Sequence, residues 1–339
     1  MLWLLLLAVL VVSLMFTGLL RRYALSRNLI DTPNARSSHT TPTPRGGGLA
    51  IVVCFLFSLP ILASIHLISW GDTWALLGSG GSVAILGFLD DHGHIAARWR
   101  LAGHFCAAIW ALSWIGGFPC IYIFGRSIDF GWLSFAFGII YLVWMLNLYN
   151  FMDGIDGIAS VEAIFACLGA CLIYWLCGYV SLIWPSLLLS LAVFGFLYWN
   201  FPPARIFMGD AGSGFLGMTL GLLSIQAAWV SPKLFWAWVI LLGVFIVDAT
   251  LTLLRRCIRG ERVYEAHRSH AYQFASRIYS RHSFVTLAVL FINIFWLLPI
   301  AIYTAIYDVD GLKATMIAYL PLVALALKFH AGEREKKPN

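Results

Sequence analysis

The sequence predicts an all-α polytopic membrane protein with about eleven transmembrane helices, its N-terminus outside and its C-terminus cytoplasmic. Three observations carry that prediction. The chain of 339 residues is 61% hydrophobic and 11% charged, whereas a soluble protein carries about 25% charged residues. Long stretches hold no Asp, Glu, Lys or Arg at all, and about 20 apolar residues suffice to cross the hydrocarbon layer as a helix. The cations are also unevenly distributed between the two sets of loops that such helices would define, and membrane proteins keep Lys and Arg on the cytoplasmic side.

The elements follow in order. Uncharged runs cover residues 1–20, 47–71, 73–89, 101–125, 130–152, 211–232 and 283–307. Residues 157–204 carry one acid, Glu162, and are long enough for two crossings with a break near Gly178 to Pro185. Residues 234–254 carry only Asp248, and 312–329 form a shorter last span. The first run is expected to be a retained helix, since Arg21 and Arg22 follow it and no basic stretch precedes it. Residues 1–330 thus read as a single membrane domain and 331–339 as a charged cytoplasmic tail. The seven cysteines form no CxxC pair, and most fall in apolar spans, where cysteine behaves as a small hydrophobe.

With alternating loops, one set and its flanking helix ends hold every Lys and Arg except Arg126, Lys233 and Lys313. That set is placed in the cytoplasm. The other set is short. Its longest member, CIYIFGRSIDF, alternates on both sides of Gly125-Arg126 and predicts a small periplasmic hairpin near 119–130 with a Gly-first turn.

Every loop with polar chemistry falls on the cytoplasmic side. In LDDHGH, Asp90 and Asp91 end a helix, where a carboxylate opposes the helix dipole. In NLYNFMDGIDG, residues Asn147, Asn150, Asp153 and Asp156 recur every third position and would form one stripe on a continuing helix. Gly154 and Gly157 let that helix end beside a wet cavity. Capping explains one or two of these four residues and not all of them. Carboxylate and amide oxygens together suit a hard cation such as Mg²⁺. In FMGDAGS, Asp210 stands at a helix start, a place that favours anions, and adds a second acid to the stripe. In HRSH, His267, Arg268 and His270 offer donors to phosphate oxygens, although the surrounding Arg-rich loop also serves the charge bias. Arg45 precedes three glycines. These either expose N–H groups to an anion or let helices pack closely. Asp248, an acid inside a span, is expected to be functional or paired, with Arg255 as its neighbour. His66 and His104 read as ordinary helix residues.

LDD at 89–91, NxxNxxDGIDGIA at 147–159, FMGDAGS at 207–213 and HRSH at 267–270 stand in this order on one side of the membrane. The chain resembles, from about residue 20 to 330, the polyprenyl-phosphate N-acetylhexosamine-1-phosphate transferases, glycosyltransferase family 4. Its length and HRSH form look most like the O-antigen-initiating branch. The resemblance implies transfer of an N-acetyl amino-sugar 1-phosphate from a UDP-sugar to undecaprenyl phosphate, with release of UMP. The implied setting is a bacterial inner membrane with the active site facing the cytoplasm, and the implied product starts an O-antigen or lipopolysaccharide glycan. It implies Mg²⁺, with Mn²⁺ as a substitute, on Asn150 and Asp210. Asp153 and Asp156 would line the nucleotide site and Phe207 would pack near the uracil. Asp90 and Asp91 would act on the lipid phosphate, with Asp90 as base. His267, Arg268 and His270 would hold the pyrophosphate. Arg45 and Asn147 are further expected substrate contacts. The peptidoglycan-type relatives carry consecutive histidines in the last motif. Arg268 and Ser269 interrupt them here, which argues against a muramoyl-pentapeptide donor. No nucleic-acid partner is expected, and a homodimer is one assembly the sequence admits. A secondary transporter is the rival class, but its polar residues would sit at mid-membrane on broken helices. A CDP-alcohol phosphotransferase would need an arginine after its DG motif that DGIDGIAS lacks.

Overall fold

A computed structural model describes residues 2–33, 38–93, 95–261 and 267–334. His94, which closes LDDHGH, and residues 335–339 of the expected tail lie outside the described residues.

The helices are α1 (Leu2–Ser26), α2 (Leu49–Ser64), α3 (Trp70–Gly93), α4 (Ala97–Ile115), α5 (Ser134–Met152), α6 (Ile158–Cys177) and α7 (Ile183–Asn200). They continue with α8 (Asp210–Val230), α9 (Pro232–Leu241), α10 (Gly243–Ile258), α11 (Ala271–Tyr279), α12 (His282–Ile292), α13 (Leu298–Ile306) and α14 (Gly311–Lys328). A π-helical turn at Asn293–Leu297 joins α12 to α13.

The all-helical membrane architecture is as expected, and the span count is finer than expected. Among the described residues, eight helical stretches are long and apolar enough to cross a membrane, and α9 with α10, bent by 72°, makes nine. The expected eleven is reached only by adding α2, which has 16 residues, and α4, whose first turn carries Arg98 and Arg100. The Arg-rich loop around HRSH, residues 255–282, also contains α11, an element the apolar runs did not announce. A helix this short has too few residues to mark an uncharged run.

The core forms around α8. Of its span 89% is buried, against 22% for α1. Small residues let its neighbours approach. A Cβ on Gly217 would lie 2.5 Å from the Met145 carbonyl oxygen of α5, and one on Gly48 would lie 2.5 Å from the Gly212 Cα. Gly47 and Gly48 therefore serve packing, whereas Gly46, at φ 94°, has no atom within 4 Å of a would-be Cβ. The Gly47 and Gly48 N–H groups donate to the carbonyls of Phe207 and Met208, so neither is free for an anion. Gly78 and Gly80 likewise seat the rings of Trp110 and Phe215.

Two antiparallel ribbons complete the fold. Strands β1 (Ile30–Asp31) and β2 (Thr43–Pro44) lie beside the carboxyl end of α3. Strands β3 (Ile121–Ile123) and β4 (Arg126–Ile128) form the expected hairpin at the opposite end of α4 and α5. Its turn differs from expectation. Ile123 pairs with Arg126, so Phe124 and Gly125 are the turn residues, and both have positive φ. Glycine is second, which suits a type I′ turn and the right-handed twist of the strands.

Candidate active site

One end of the bundle collects the polar motifs. The last turn of α3 brings Asp90 and Asp91, and the last turns of α5 bring Asn147 and Asn150. The expected helical stripe stops short. α5 ends at Met152, Asp153 is its C-cap, and α6 restarts only after Gly157 at φ 73°. Asp153 and Asp156 are therefore held by a non-helical loop, where they can turn toward the cavity. The first residue of α8 is Asp210. Gly209 before it sits at φ 77°, a conformation that favours glycine, and a Cβ there would come within 2.7 Å of Asp91 Oδ2.

Two cavities meet at this end. A polar one of about 230 Å³ is lined by Arg45, Asp91, Asn150, Asp153, Asp156, Phe207 and Asp210 among others. A larger, mainly apolar one of about 670 Å³ is lined by Asp90, Arg100, Asn147, Asn150, Trp144 and Asp210 among others. Asn150 and Asp210 line both. Asn150 Nδ2 donates to Asp210 Oδ1 and to Ser213 Oγ, each at 3.2 Å.

The paired aspartates are not equivalent. Asp90 is engaged on both oxygens, accepting the Ile95 N–H at 2.7 Å and pairing with Arg100. Arg100 also reaches Asp210 Oδ2 at 3.5 Å. Asp91 has Arg45 3.8 Å from one oxygen; its other oxygen, Oδ2, is buried and makes no hydrogen bond of good geometry, although the Asp210 and Ala211 N–H groups at the start of α8 face the carboxylate. Burial and the carboxylates of Asp210, Asp91 and Asp156 push the Asp153 carboxyl well above its usual range. Such crowding calls for a cation or a proton.

The donor set fits a hard divalent ion in part. Asp210 and Asn150 supply oxygens on one wall, and Asp91 Oδ2, without a well-placed donor, is a further acceptor. Among the described residues no group of three or more His, Cys, Asp or Glu side chains is arranged to hold a metal. Waters and substrate phosphates would have to complete the shell, which is how Mg²⁺ is commonly held.

His267, Arg268 and His270 are not among the residues lining either cavity, but the two histidines border Phe151, which lines the apolar one. His267 stacks on His270 with centroids 4.9 Å apart, and Phe151 lies beside both rings. Burial first, then His270 and Arg256, lower the His267 pKa to about 3. Ser269 meets His267 Nδ1 with its hydroxyl oxygen at 2.9 Å and its N–H at 3.4 Å. The Arg268 carbonyl accepts from Arg277. Asp248 is paired, but not with Arg255. It accepts the Ala271 and Tyr272 N–H groups at 2.9 and 3.0 Å and contacts His270 Nδ1 at 3.3 Å, which caps α11. Arg255 instead pairs with Glu333 at 3.0 Å. An acid in a span can be neutralised by the start of a distant helix, which residue spacing does not reveal.

Several lining residues were not anticipated. Ser38, His39 and Gln273 line the polar cavity, and His39 packs edge-on against Phe207 at 4.8 Å. Arg98, Arg100 and His104 line the apolar one. His39 lies six residues before Arg45, so the sequence pointed to its neighbour and not to the residue itself. Arg100 gave no signal beyond lying ten residues after Asp90.

Fold and site together define a class, a multi-span membrane protein in which a polar and an apolar cavity share one wall. The comparisons with known proteins narrow it. The model of glycosyl transferase family 4 matches residues 73–228, from α3 through α8. A Bacillus subtilis protein named probable undecaprenyl-phosphate N-acetylglucosaminyl 1-phosphate transferase is 30% identical over 76% of this chain and 72% of its own length. A Thermotoga maritima undecaprenyl-phosphate alpha-N-acetylglucosaminyl 1-phosphate transferase is 25% identical over 86% of this chain and 88% of its own. A Chlamydia muridarum phospho-N-acetylmuramoyl-pentapeptide-transferase is 29% identical over 75% and 83%. The chain belongs to glycosyl transferase family 4, as a polyprenyl-phosphate sugar-phosphate transferase. The matched region holds Asp90, Asp91, Asn147, Asn150, Asp153, Asp156, Phe207 and Asp210, and it excludes Arg45, His267, Arg268 and His270.

Proposed function

We propose that this protein transfers an N-acetyl amino-sugar 1-phosphate from a UDP-sugar to undecaprenyl phosphate at the cytoplasmic face of a bacterial inner membrane. In this reading the product starts an O-antigen or lipopolysaccharide glycan. The observation that carries the proposal is the shared wall. A soluble nucleotide-sugar suits the polar cavity, a polyprenyl chain suits the apolar one, and Asn150 and Asp210 face both.

A lipid phosphate oxygen attacks the phosphorus that bears the sugar. The bond from that phosphorus to the bridging oxygen breaks, and UMP leaves with the bridging oxygen. Two anions must meet, so positioning and charge neutralisation dominate. Arg100, between Asp90 and Asp210, faces the apolar cavity and suits the incoming phosphate. Arg45 faces the polar cavity and suits the diphosphate. Phe207 and His39 offer a ring wall for the uracil. Asp91 holds the uncommitted oxygen that can take a proton from the lipid phosphate or orient it. Asp210 and Asn150 would hold Mg²⁺, or Mn²⁺ in its place, which supplies positive charge at the diphosphate.

The test is UMP release by the purified protein from a panel of UDP-N-acetyl sugars, including the muramoyl-pentapeptide donor. Undecaprenyl phosphate and Mg²⁺ are supplied, with Asp210→Asn alongside. UMP that requires lipid phosphate and metal and vanishes in the variant supports the proposal and ranks the donors. A folded protein that makes UMP only from the muramoyl-pentapeptide donor would replace the amino-sugar reading.

A further inference from the structure

His282, the first residue of α12, closes the Arg-rich loop 255–282 and lies outside the four short motifs. Its ring nitrogens join two separate walls of the polar cavity. Nδ1 lies 3.1 Å from Asp156 Oδ1, on the loop between α5 and α6. Nε2 lies 3.1 Å from the Ser38 carbonyl oxygen, on the segment that leads to β2 and Arg45. Ser38, His39, Arg45 and Asp156 all line that cavity.

The geometry defines the proton count. A carbonyl and a carboxylate are acceptors only, so an N–H on each nitrogen is needed to satisfy both. The Asp156 N–H also approaches Nδ1, but at 3.5 Å. A bare lone pair on Nδ1 would face the nearer carboxylate at 3.1 Å and be repelled, so the shorter contact decides. His282 is an imidazolium with both donors committed. Its side chain is 19% exposed and that of Asp156 is 13% exposed, so water screens the pair only partly.

Asp156 extends the brace. Its Oδ2 accepts the Ala204 N–H at 3.0 Å, on the loop leading to Phe207 and Asp210. Its carbonyl accepts from Thr286 Oγ1, one turn further along α12, also at 3.0 Å. Three irregular segments around the cavity, 38–45, 153–157 and 200–209, are thus tied to one rigid helix end. Loops of this kind hold their shape only through such links.

We infer that His282 is a positioning residue for the nucleotide-sugar cavity: one imidazole holds Asp156 and the Ser38 backbone at a fixed spacing, and that spacing sets the width of the cavity that takes the donor. This rests on the reading that the donor is a UDP-sugar. The lipid phosphate enters from the other cavity, whose lining includes neither Ser38 nor Asp156. Loss of the brace should therefore weaken donor binding and spare the acceptor.

The experiment measures UMP release by His282→Phe and His282→Gln, varying donor and undecaprenyl phosphate separately, with thermal midpoints in the same detergent. Phe removes both donors and keeps a planar ring, whereas Gln keeps one donor. Two charge-assisted hydrogen bonds are lost in the first variant, so its KM for the donor should rise about tenfold or more. The rise in His282→Gln should be smaller. KM for the lipid and kcat should stay within about twofold, the reproducibility expected for an interaction that contributes to donor binding alone. If His282→Phe does not fold, the Gln variant decides by the same criterion. A donor KM unmoved in a folded variant, or a lipid KM moved as far, overturns the inference. If the wild-type protein releases no UMP, the donor reading itself fails, a different outcome from active wild type with indifferent variants.

Discussion

At the residue scale, the adjacent acids at the end of α3 divide their work by what they touch. Asp90 is spent on the Ile95 N–H and on Arg100, whereas Asp91 Oδ2 makes no hydrogen bond of good geometry. Asp91→Asn should therefore cut UMP release by about 100-fold or more, the size of a lost acid–base contribution, with little change in thermal midpoint. Asp90→Asn should retain more activity. It should also lose about 1 kcal/mol of stability, because its arginine partner is half-exposed and screened. Rates of the two purified variants decide this, and the reverse order would restore Asp90 as the reacting carboxylate. His267 gives a prediction in pH. Its pKa is lowered to about 3 by burial, with His270 and Arg256 adding repulsion. A lowered histidine pKa means the proton is lost on raising pH through about 3, so the ring stays neutral from pH 5 to 9. The pH profile of kcat/KM should show no limb near the ordinary histidine value of about 6.5 that disappears in His267→Gln. Such a limb would mean that the ring is open to water. The acids of the site were legible because carboxylates are rare in so apolar a chain. Their partners were not. Arg45 and Arg100 reach Asp91 and Asp90 across folds in the chain that spacing alone does not encode, and nothing in the sequence distinguishes Arg100 from a charge that merely biases topology.

At the element scale, the site depends on how closely α3 and α8 approach. Gly87 is the contact. A Cβ there would lie 2.5 Å from the Ala211 nitrogen, at the very start of α8. Backbone cannot step aside as a side-chain tip can, so Gly87→Ala must push α3 away from α8 and carry Asp90 and Asp91 off Asp210. Overpacking of this kind costs about 1–3 kcal/mol. Displacement of about 1 Å at a phosphoryl-transfer site costs about 100-fold in rate, so activity should fall further than stability. Gly81, on the same helix, is the control. Its Cβ would meet only Leu56 Cδ1 at 3.7 Å, so Gly81→Ala should fold and turn over as wild type does. Equal activity in the two variants would show that the α3–α8 spacing is not critical. The elements themselves were largely legible, since uncharged runs mark membrane helices well. The missed pieces are α11, the β1–β2 ribbon and the turn register of the β3–β4 hairpin. Each is short, and short segments take their conformation from contacts made elsewhere. α11 starts where Asp248 accepts its first N–H groups, which no local pattern announces.

At the scale of the whole molecule, two ends of one bundle have opposite chemistry. The end with the carboxyl turns of α3 and α5 and the start of α8 holds both cavities, Arg45, Arg98 and Arg100. The other end holds the β3–β4 hairpin, with Arg126, and the starts of α9 and α14, with Lys233 and Lys313 nearby. In the sequence these three are the only Lys and Arg outside the first set, so among the described residues the charge asymmetry follows the bundle axis. In the proposed function that asymmetry is read as turning the site toward the cytoplasm, where a nucleotide-sugar is made. The helix count alone could not settle it, because eight crossings would put both termini on one side whereas nine or eleven would put them on opposite sides. The prediction follows from the two ends and not from the count. An epitope inserted between Gly125 and Arg126, a turn whose glycine has no atom within 4 Å of its would-be Cβ, should bind antibody in spheroplasts without permeabilisation. An epitope following residue 339 should need permeabilised cells, because Arg255, Glu333 and the Ser269 carbonyl hold residues 331–333 against the loop beside the site. The opposite labelling pattern would turn the carboxylate cavity to the outside. It would leave the enzyme facing a compartment without UDP-sugar, and the proposed donor would have to be abandoned with the orientation.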